Sequence, residues 1–366
     1  MKISQVIAVL EARAPLVYQE SYDNAGLLTG AADSVCTGIL CTLDATLEVI
    51  REAKERGCNM VVAHHPIVFK GLTKITGKNY VEQAILFAIR HDIAIYAIHT
   101  NLDNMADGVN YTIAQKMGLV KTRVLLSGKN DLIKLISFVP VAQAEQVRNA
   151  LFNAGAGNIG QYSEASFSTD GTGTYKGSAG SHPFAGTPGI RHTEPESKIE
   201  VLLPAYLKQS VLTALFAAHP YEEVAYDLIP LLNENQSVGS GMVGELPEPM
   251  SETAFLALLK TQFGLSVIRH TPLLGKNIQK IALCGGAGSF LIGHARAAGA
   301  DFYVSSDIKY HEFFDAENRM VIADIGHWES EQYTIDLLFS LLTTKFPNFA
   351  VLKTATNTNP VRYFLG

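Results

Sequence analysis

The most constraining feature of this chain is a rhythm. From Cys36 onward, apolar runs of strand length alternate with stretches of helix length. "CTGILCTL" reads as a strand, and "TLEVIREAKERG" as a helix closed by Gly57. "NMVVAH", a helix over "YVEQAILFAIRHD", the strand "IAIYAIHT" and a helix around "GVNYTIAQKMG" follow. The C-terminal part repeats the pattern, with strands at "KIALCGG", "DFYVSS", "MVIADIG" and "FAVLKT". Helices are expected at "SFLIGHARAAG", "YHEFFDAEN" and, as one long element, "SEQYTIDLLFSLLTTKF". Strands that are apolar throughout, separated by helices, require a parallel or mixed sheet covered on both faces. The expected class is therefore α/β, with helices flanking a mixed sheet. "AKERGCNMVVAHH" and "ARAAGADFYVSSD" share a small residue, a Gly, an apolar strand and polar residues after it, in a register that sets His65 opposite Asp307.

Between the two parts, roughly residues 131–233, the character changes. "LISFVPVAQAEQVRNALFNAG" is echoed by "IEVLLPAYLKQSVLTALFAAH", with Pro140 and Pro204 at equal distances from the Ala-Leu-Phe triplets. Each copy reads as strand, Pro-started helix and strand, the closing strands being "NIGQYSEASF" and "EEVAYDLIPL". Two tandem βαβ copies are the signature of a ferredoxin-like α+β domain. The Gly-, Ser-, Thr- and Pro-rich stretch from Ser168 to Ser197 reads as a long loop or an added hairpin at the rim. The expected organisation is a discontinuous outer domain, residues 1–125 and 240–366, with a ferredoxin-like domain inserted at 130–235.

The length of 366 residues fits two to three domains. Net charge is -6 and no basic run occurs, so nothing favours nucleic acid as a partner. No apolar run approaches the ~20 residues of a membrane span. The first residues resemble a signal peptide superficially, but Glu11, Arg13 and Glu20 break the apolar run, and an amphipathic first helix is the better reading. Cys36, Cys41, Cys58 and Cys284 form no CxxC pair. They read as buried free thiols of a cytoplasmic protein.

The chemistry lies at three strand ends. "VVAHHP" closes an apolar strand with His64 and His65, and Pro66 biases His65 toward an extended conformation where regular structure stops. At the carboxyl end of a sheet strand, where open α/β sheets place their ligands, both imidazoles can reach one crevice. "AIHTNLDN" brings His99, Asp103 and Asn104 from the next strand end. In "DIGHWESEQ", His327 and Glu331 stand four apart and share one face of a helical first turn. Against these stand plainer readings: two idle loop histidines, and a solvated turn whose acids complement a helix dipole. Taken together, five nitrogen and carboxylate donors without thiolate suit transition metals rather than calcium, and suggest two ions. Glu331 or Asp103 would accept a proton where not committed as a ligand. His99 reads as an outer partner; Asp44, Asp307, His311, Asp23 and Asn24 are candidates for orienting a ligand or touching substrate. Each of these reads equally as a cap or turn residue. "CGGAGS", between a strand and a helix, reads as an anion-receiving turn or a plain tight one. His219 reads as structural or interfacial.

"SYDNAGLLTG", "VVAHHPIVF", "HTNLDN", "SSDIKYHEFFDA" and "DIGHWESEQ" resemble the signature blocks of the NIF3-like proteins, also named GTP cyclohydrolase 1 type 2 homologs. The resemblance covers roughly residues 1–125 and 240–366. The segment with "AAHPYEEVAYDLIPL" is similar to the PII- or CutA-like inserted domain of longer family members. The resemblance implies a dinuclear metal centre on His64, His65, Asp103, His327 and Glu331, with two divalent transition ions, zinc first and Mn, Fe, Co or Ni as alternatives. It further implies toroidal homohexamers whose sites face an internal cavity, and a metal-dependent hydrolase of a small molecule, such as a nucleotide. The alternatives are a regulatory, ligand-sensing ring without catalysis and a ring in which metal serves stability.

Overall fold

The structure is a computed structural model, and residues 1–128 and 131–364 are described here. The chain forms two compact units, Met1–Ser127 with Ser237–Gly366, and Gly128–Gln236.

The first unit is mixed α/β. One five-stranded sheet runs in the order Gly26–Thr29, Ala94–Ala97, Met60–His65, Ile39–Asp44, Val351–Lys353. All neighbours are parallel except Gly26–Thr29, which runs antiparallel at the edge. A six-stranded sheet has the order Arg269–His270, Val321–Asp324, Phe302–Ser306, Asn277–Ala287, Asn235–Ser251, Val120–Gly128. Its three central strands, Val321–Asp324, Phe302–Ser306 and Asn277–Ala287, are parallel. The 17-residue strand Asn235–Ser251, which pairs antiparallel with Asn277–Ala287, carries no apolar rhythm that would announce it.

Side-chain alternation divides each central strand between two cores. Met60 and Val62 join a core that also takes Ile281, Leu283, Phe302 and Val304 from the other sheet and Ile3, Val6 and Leu10 from the first helix, Ile3–Arg13. Val61 and Ala63 pack instead with Val49, Ile50, Ala84 and Ala88 of the helices Leu47–Glu55 and Tyr80–Arg90. Those helices start at Thr46 and Asn79, whose side chains accept from the amides of Val49 and Glu82. Extending the alternation, His64 continues the Met60–Val62 side and is fully buried, while His65 continues the other.

The one mixed sheet expected for this unit is two sheets, and two expected helices also differ from the sequence pattern. The expected long C-terminal helix is two, His327–Glu331 and Thr334–Lys345, so the five-residue turn carrying His327 and Glu331 is a separate piece. "YHEFFDA" forms a 3-10 helix, Tyr310–Ala316, rather than an α-helix.

The second unit has a four-stranded antiparallel sheet in the order Ser166–Tyr175, His192–Pro204, Leu132–Pro140, Tyr226–Pro230. Helices Ala144–Asn153 and Lys208–Ala218 pack Val147, Leu151, Val211 and Leu215 against Leu135, Val139, Ile199 and Val201. Pro140 and Pro204 end strands rather than start α-helices, and each is followed by one 3-10 turn. Their extended backbone, φ -49 with ψ 134 and φ -63 with ψ 143, suits a strand exit. "NIGQYSEASF" contributes only its last two residues to a strand. The Thr- and Gly-rich run beyond it pairs from Ser166 opposite Val201 to Tyr175 opposite His192, so the hairpin alternative describes this stretch. As an edge strand, Ser166–Tyr175 is largely solvent-exposed, which is why it lacks apolar alternation.

Candidate metal centre

The parallel register Asp44↔His65 sets two strand ends side by side, and Ala63↔Ala97 places the third next to them. At these ends His64 and His65 lie with ring centroids 4.9 Å apart. From the other sheet, the turn His327–Glu331 brings His327 Nε2 to 3.3 Å from His65 Nε2. Glu331 is buried, and its Oε2 faces three imidazoles, with His65 Nε2 at 2.9 Å, His327 Nε2 at 3.2 Å and His64 Nε2 at 3.9 Å. Asp103, at the end of the short helix Thr100–Asp103, puts Oδ1 3.4 Å from His64 Nε2. Donor atoms group as His64–Asp103–Glu331 and His65–His327–Glu331, with Glu331 common to both. His99 forms a third group with His64 and His65, its ring 5.2 and 5.4 Å from theirs.

Every one of these imidazoles is oriented from behind. His64 Nδ1 donates to the Ile98 carbonyl at 2.9 Å. His65 Nδ1 bonds Asp44 at 2.8 Å, His99 Nδ1 bonds Asp23 at 2.8 Å, and His327 Nδ1 bonds Asp307 at 2.7 Å. Such bonds fix the ring orientation that presents Nε2 to the centre and raise ligand basicity. The carboxylates are held in turn: Asp44 accepts from Thr358 Oγ1, and Asp23 from the Thr100 amide and hydroxyl. Asp307 has φ 56, a left-handed conformation for a non-glycine residue, at the point where its carboxylate meets His327.

The electrostatics match this wiring. Burial, and then the neighbouring Glu331, push the Asp103 carboxyl up to about 7. Burial also opposes ionisation of Glu331, but His327 and His65 in contact with it, and the His64 imidazole facing it at 3.9 Å, hold it well below the usual carboxylate range. For His65 burial works downward, and Asp44 with Glu331 overcome it, raising the imidazole to about 9. Asp307 and Glu331 likewise outweigh burial and raise His327 to about 11. Against burial, hydrogen bonds from His99 and Thr100 hold Asp23 at about 2.

The donor set fits a divalent transition ion. Among the described residues, His64 Nε2 and Asp103 Oδ1 are buried with no hydrogen-bond partner. Buried polar atoms are rarely left so, and a cation facing both satisfies them. The backbone makes room for the shared carboxylate: Gly286 has φ 62, and a Cβ built there would overlap Glu331 Oε1. Within the "CGGAGS" turn the Gly285 amide donates to Asn110 and the Gly286 amide to Ser330, so these two are not left for an anion. Gly286 is a clearance for Glu331.

Sequence comparison decides the family. The model of Duf34/NIF3 (NGG1p interacting factor 3) matches residues 1–360. The chain belongs to the DUF34/NIF3 family. It is 38% identical over 371 residues to the "GTP cyclohydrolase 1 type 2 homolog" of Halalkalibacterium halodurans, covering 99% of this chain and 100% of that one. Its identity to the Bacillus subtilis protein of the same name is 35% over 364 residues, 98% of each. A Bacillus cereus protein related to NIF3 superposes with a TM-score of 0.87 at 35% identity, covering 100% and 99% of the two chains. Staphylococcus aureus SA1388 gives 0.78 at 30% identity, with coverage of 100% and 99%.

In this DUF34/NIF3 chain, then, His64, His65, Asp103, His327 and Glu331 converge, with His99, Asp44, Asp307 and Asp23 directly behind. Two candidates lie apart. Asn24 turns its side chain to the Val68 carbonyl at 2.6 Å. The His311 ring packs with Tyr310 and Phe314. Sequence reasoning missed Gly286, Ser330, Thr100 and Thr358. A signal existed for one relation: His99–Asp103 and His327–Glu331 share a spacing of four, and each follows the end of a parallel strand. The centre opens on a cavity of about 1030 Å³ that includes Phe69, Tyr80, Phe290 and Trp328. Among the described residues no helix is long and apolar enough to cross a membrane.

Proposed function

We infer that the chain is a metal-dependent hydrolase of a small molecule, with two divalent transition ions, zinc first, held by His64, His65, Asp103, His327 and Glu331. The observation that carries this reading is the sharing of Glu331 between two donor triplets. Ions held there supply Lewis acidity, polarising an oxygen and lowering the pKa of water. The protein's own groups do the rest. Glu331, ionised and faced by three imidazoles, is committed as a ligand. Asp103, the other carboxylate of the centre, takes a proton where it is not committed as a ligand. His99, its Nδ1 fixed on Asp23, passes protons between centre and cavity. The cavity has room for a nucleotide, and the Trp328 and Phe69 rings suit a base. The name shared by the relatives makes ring-opening hydrolysis of a purine nucleotide the first substrate class to test.

The strand order of the Gly128–Gln236 unit supports a ferredoxin-like insert of PII or CutA type at 130–235, within an outer domain of 1–125 and 240–366. The four cysteines are free and buried, in keeping with a cytoplasmic setting. Assembly is proposed as a homohexameric ring, checked by light scattering for a particle of six 39.7 kDa chains. A regulatory ring without catalysis is the second reading, favoured by a separate cavity in the Gly128–Gln236 unit.

The deciding experiment combines elemental analysis, metal restoration and a screen of nucleotides and phosphoesters. Hydrolysis is expected from the loaded protein, and His64→Ala should lose metal and turnover with particle mass unchanged. Full metal occupancy with no turnover of any substrate would replace the hydrolase by the regulatory reading.

A further inference from the structure

The Gly128–Gln236 unit holds a cavity of about 700 Å³, within the range of small-molecule sites. Alternation along His192–Pro204 sends Ile199 and Val201 into the helix-covered core and Glu194, Glu196 and Lys198 to the opposite sheet face. Over that face Tyr221 stands 5.7 Å from Tyr175 and 6.2 Å from Phe184, ring centre to ring centre. All three rings line the cavity.

Glu196 is buried there, only 9% exposed. Its Oε1 accepts a hydrogen bond from the Tyr221 hydroxyl at 2.7 Å. Two basic side chains nearby are engaged elsewhere: Lys198 pairs with Glu200 at 2.5 Å, and His192 with Glu194 at 2.7 Å. His219 donates through Nε2 to the Phe138 carbonyl and accepts the Tyr221 amide at Nδ1, so it is neutral. Among the described residues no cationic nitrogen pairs with Glu196. Beside its Oε2 the edge strand carries Gly173, where any Cβ would overlap the carboxylate. A buried carboxylate without a counter-charge is costly unless something supplies one. The remaining lining adds Asp170, Glu222 and Glu223 against Lys176, so the site repels anions.

We propose that this cavity binds a small planar organic cation bearing N–H donors, an amidinium, guanidinium or protonated amino-heterocycle. Its N–H groups pair with the Glu196 carboxylate, and its face lies against the tyrosine rings, which attract cations. The site is separate from the metal centre and does not depend on its chemistry.

The test is calorimetry on the full-length, metal-loaded protein with benzamidinium, and with benzoate as the anion of similar shape. Benzamidinium should bind and benzoate should not. Glu196→Gln should weaken benzamidinium at least ~10-fold. Gly173→Ala, which fills the space beside the carboxylate and leaves its charge, should do the same should Glu196→Gln fail to fold. Tyr221→Phe keeps the ring and frees Oε1, so binding is retained. His64→Ala should bind benzamidinium like the unaltered protein. No heat at about 10 mM, equal binding of benzoate, or unaltered affinity in a folded Glu196→Gln or Gly173→Ala protein would overturn the proposal.

Discussion

Gly286→Ala isolates the role of the shared carboxylate without touching any donor. At φ 62 an added Cβ strains the backbone, at a cost of roughly 1–2 kcal/mol. It also overlaps Glu331 Oε1, with Glu331 Cδ at 3.3 Å and His327 Cε1 at 3.4 Å as its next neighbours. To regain van der Waals contact the oxygen must retreat by about 1 Å. Metal–ligand distances tolerate only about 0.2 Å, so the carboxylate cannot keep both triplets in register. A 10- to 100-fold loss of metal affinity is expected, the scale seen when supporting groups of a metal site are disturbed, equivalent to about 1.4–2.8 kcal/mol. Gly299→Ala is the control. It has φ 70 and nothing within 4 Å of the new Cβ, so it carries the strain without the clash. Competition against a chromophoric chelator measures affinity, and urea unfolding measures stability. Both variants should lose comparable stability, and only Gly286→Ala should lose affinity. Metal binding by Gly286→Ala within about twofold of the unaltered protein would refute the placement of Glu331 as the shared ligand.

Asp44→Asn and Asp307→Asn remove the acceptors behind His65 and His327; each should weaken metal ~10- to 100-fold in the same competition assay. Without ions, His65 at about 9, His327 at about 11 and Asp103 at about 7 hold protons near neutral pH. Metal must displace them, so affinity should rise with pH from 6 to 9, with proton uptake by a dye-buffered solution reporting the release. Glu52 accepts bonds from Thr354, Ala355 and Thr356 and from Arg56, which against burial lower its carboxyl to about 2. A lowered pKa contributes stability above the unfolded value near 4.5 and loses it as pH falls toward 2. Glu52→Gln should therefore flatten the acid limb of the stability curve and cost ~1–2 kcal/mol at pH 7, measured by urea unfolding.

Much of the fold and of the site was legible along the chain. The apolar period identified the parallel strands and the helices that cover them, because burial on both faces leaves no polar position inside a strand. The donors at three strand ends were legible because histidines and acids have no place in a core of that kind without a task. Asp44, Asp307 and Asp23 could be nominated but not ranked. A carboxylate at a strand end or turn looks the same whether it caps a backbone amide or holds an imidazole, and only the register Asp44↔His65 and the 2.7–2.8 Å contacts separate the cases. His311 illustrates the converse: its spacing of four from Asp307 implies one helical face, but the segment is a 3-10 turn and the ring goes to Tyr310 and Phe314.

Sequence by itself determined the class of elements, the chemistry of the donors and the family, since local period and residue type are properties of short stretches. Tertiary structure alone decided that Glu331, and not Asp103, faces three imidazoles, and that a glycine 45 residues before it clears the space. It also decided that Glu196 is buried with no cationic nitrogen paired to it among the described residues. Those facts depend on which groups from distant segments come within a few ångströms of one another, and pairwise distances across a folded chain leave no trace in local spacing.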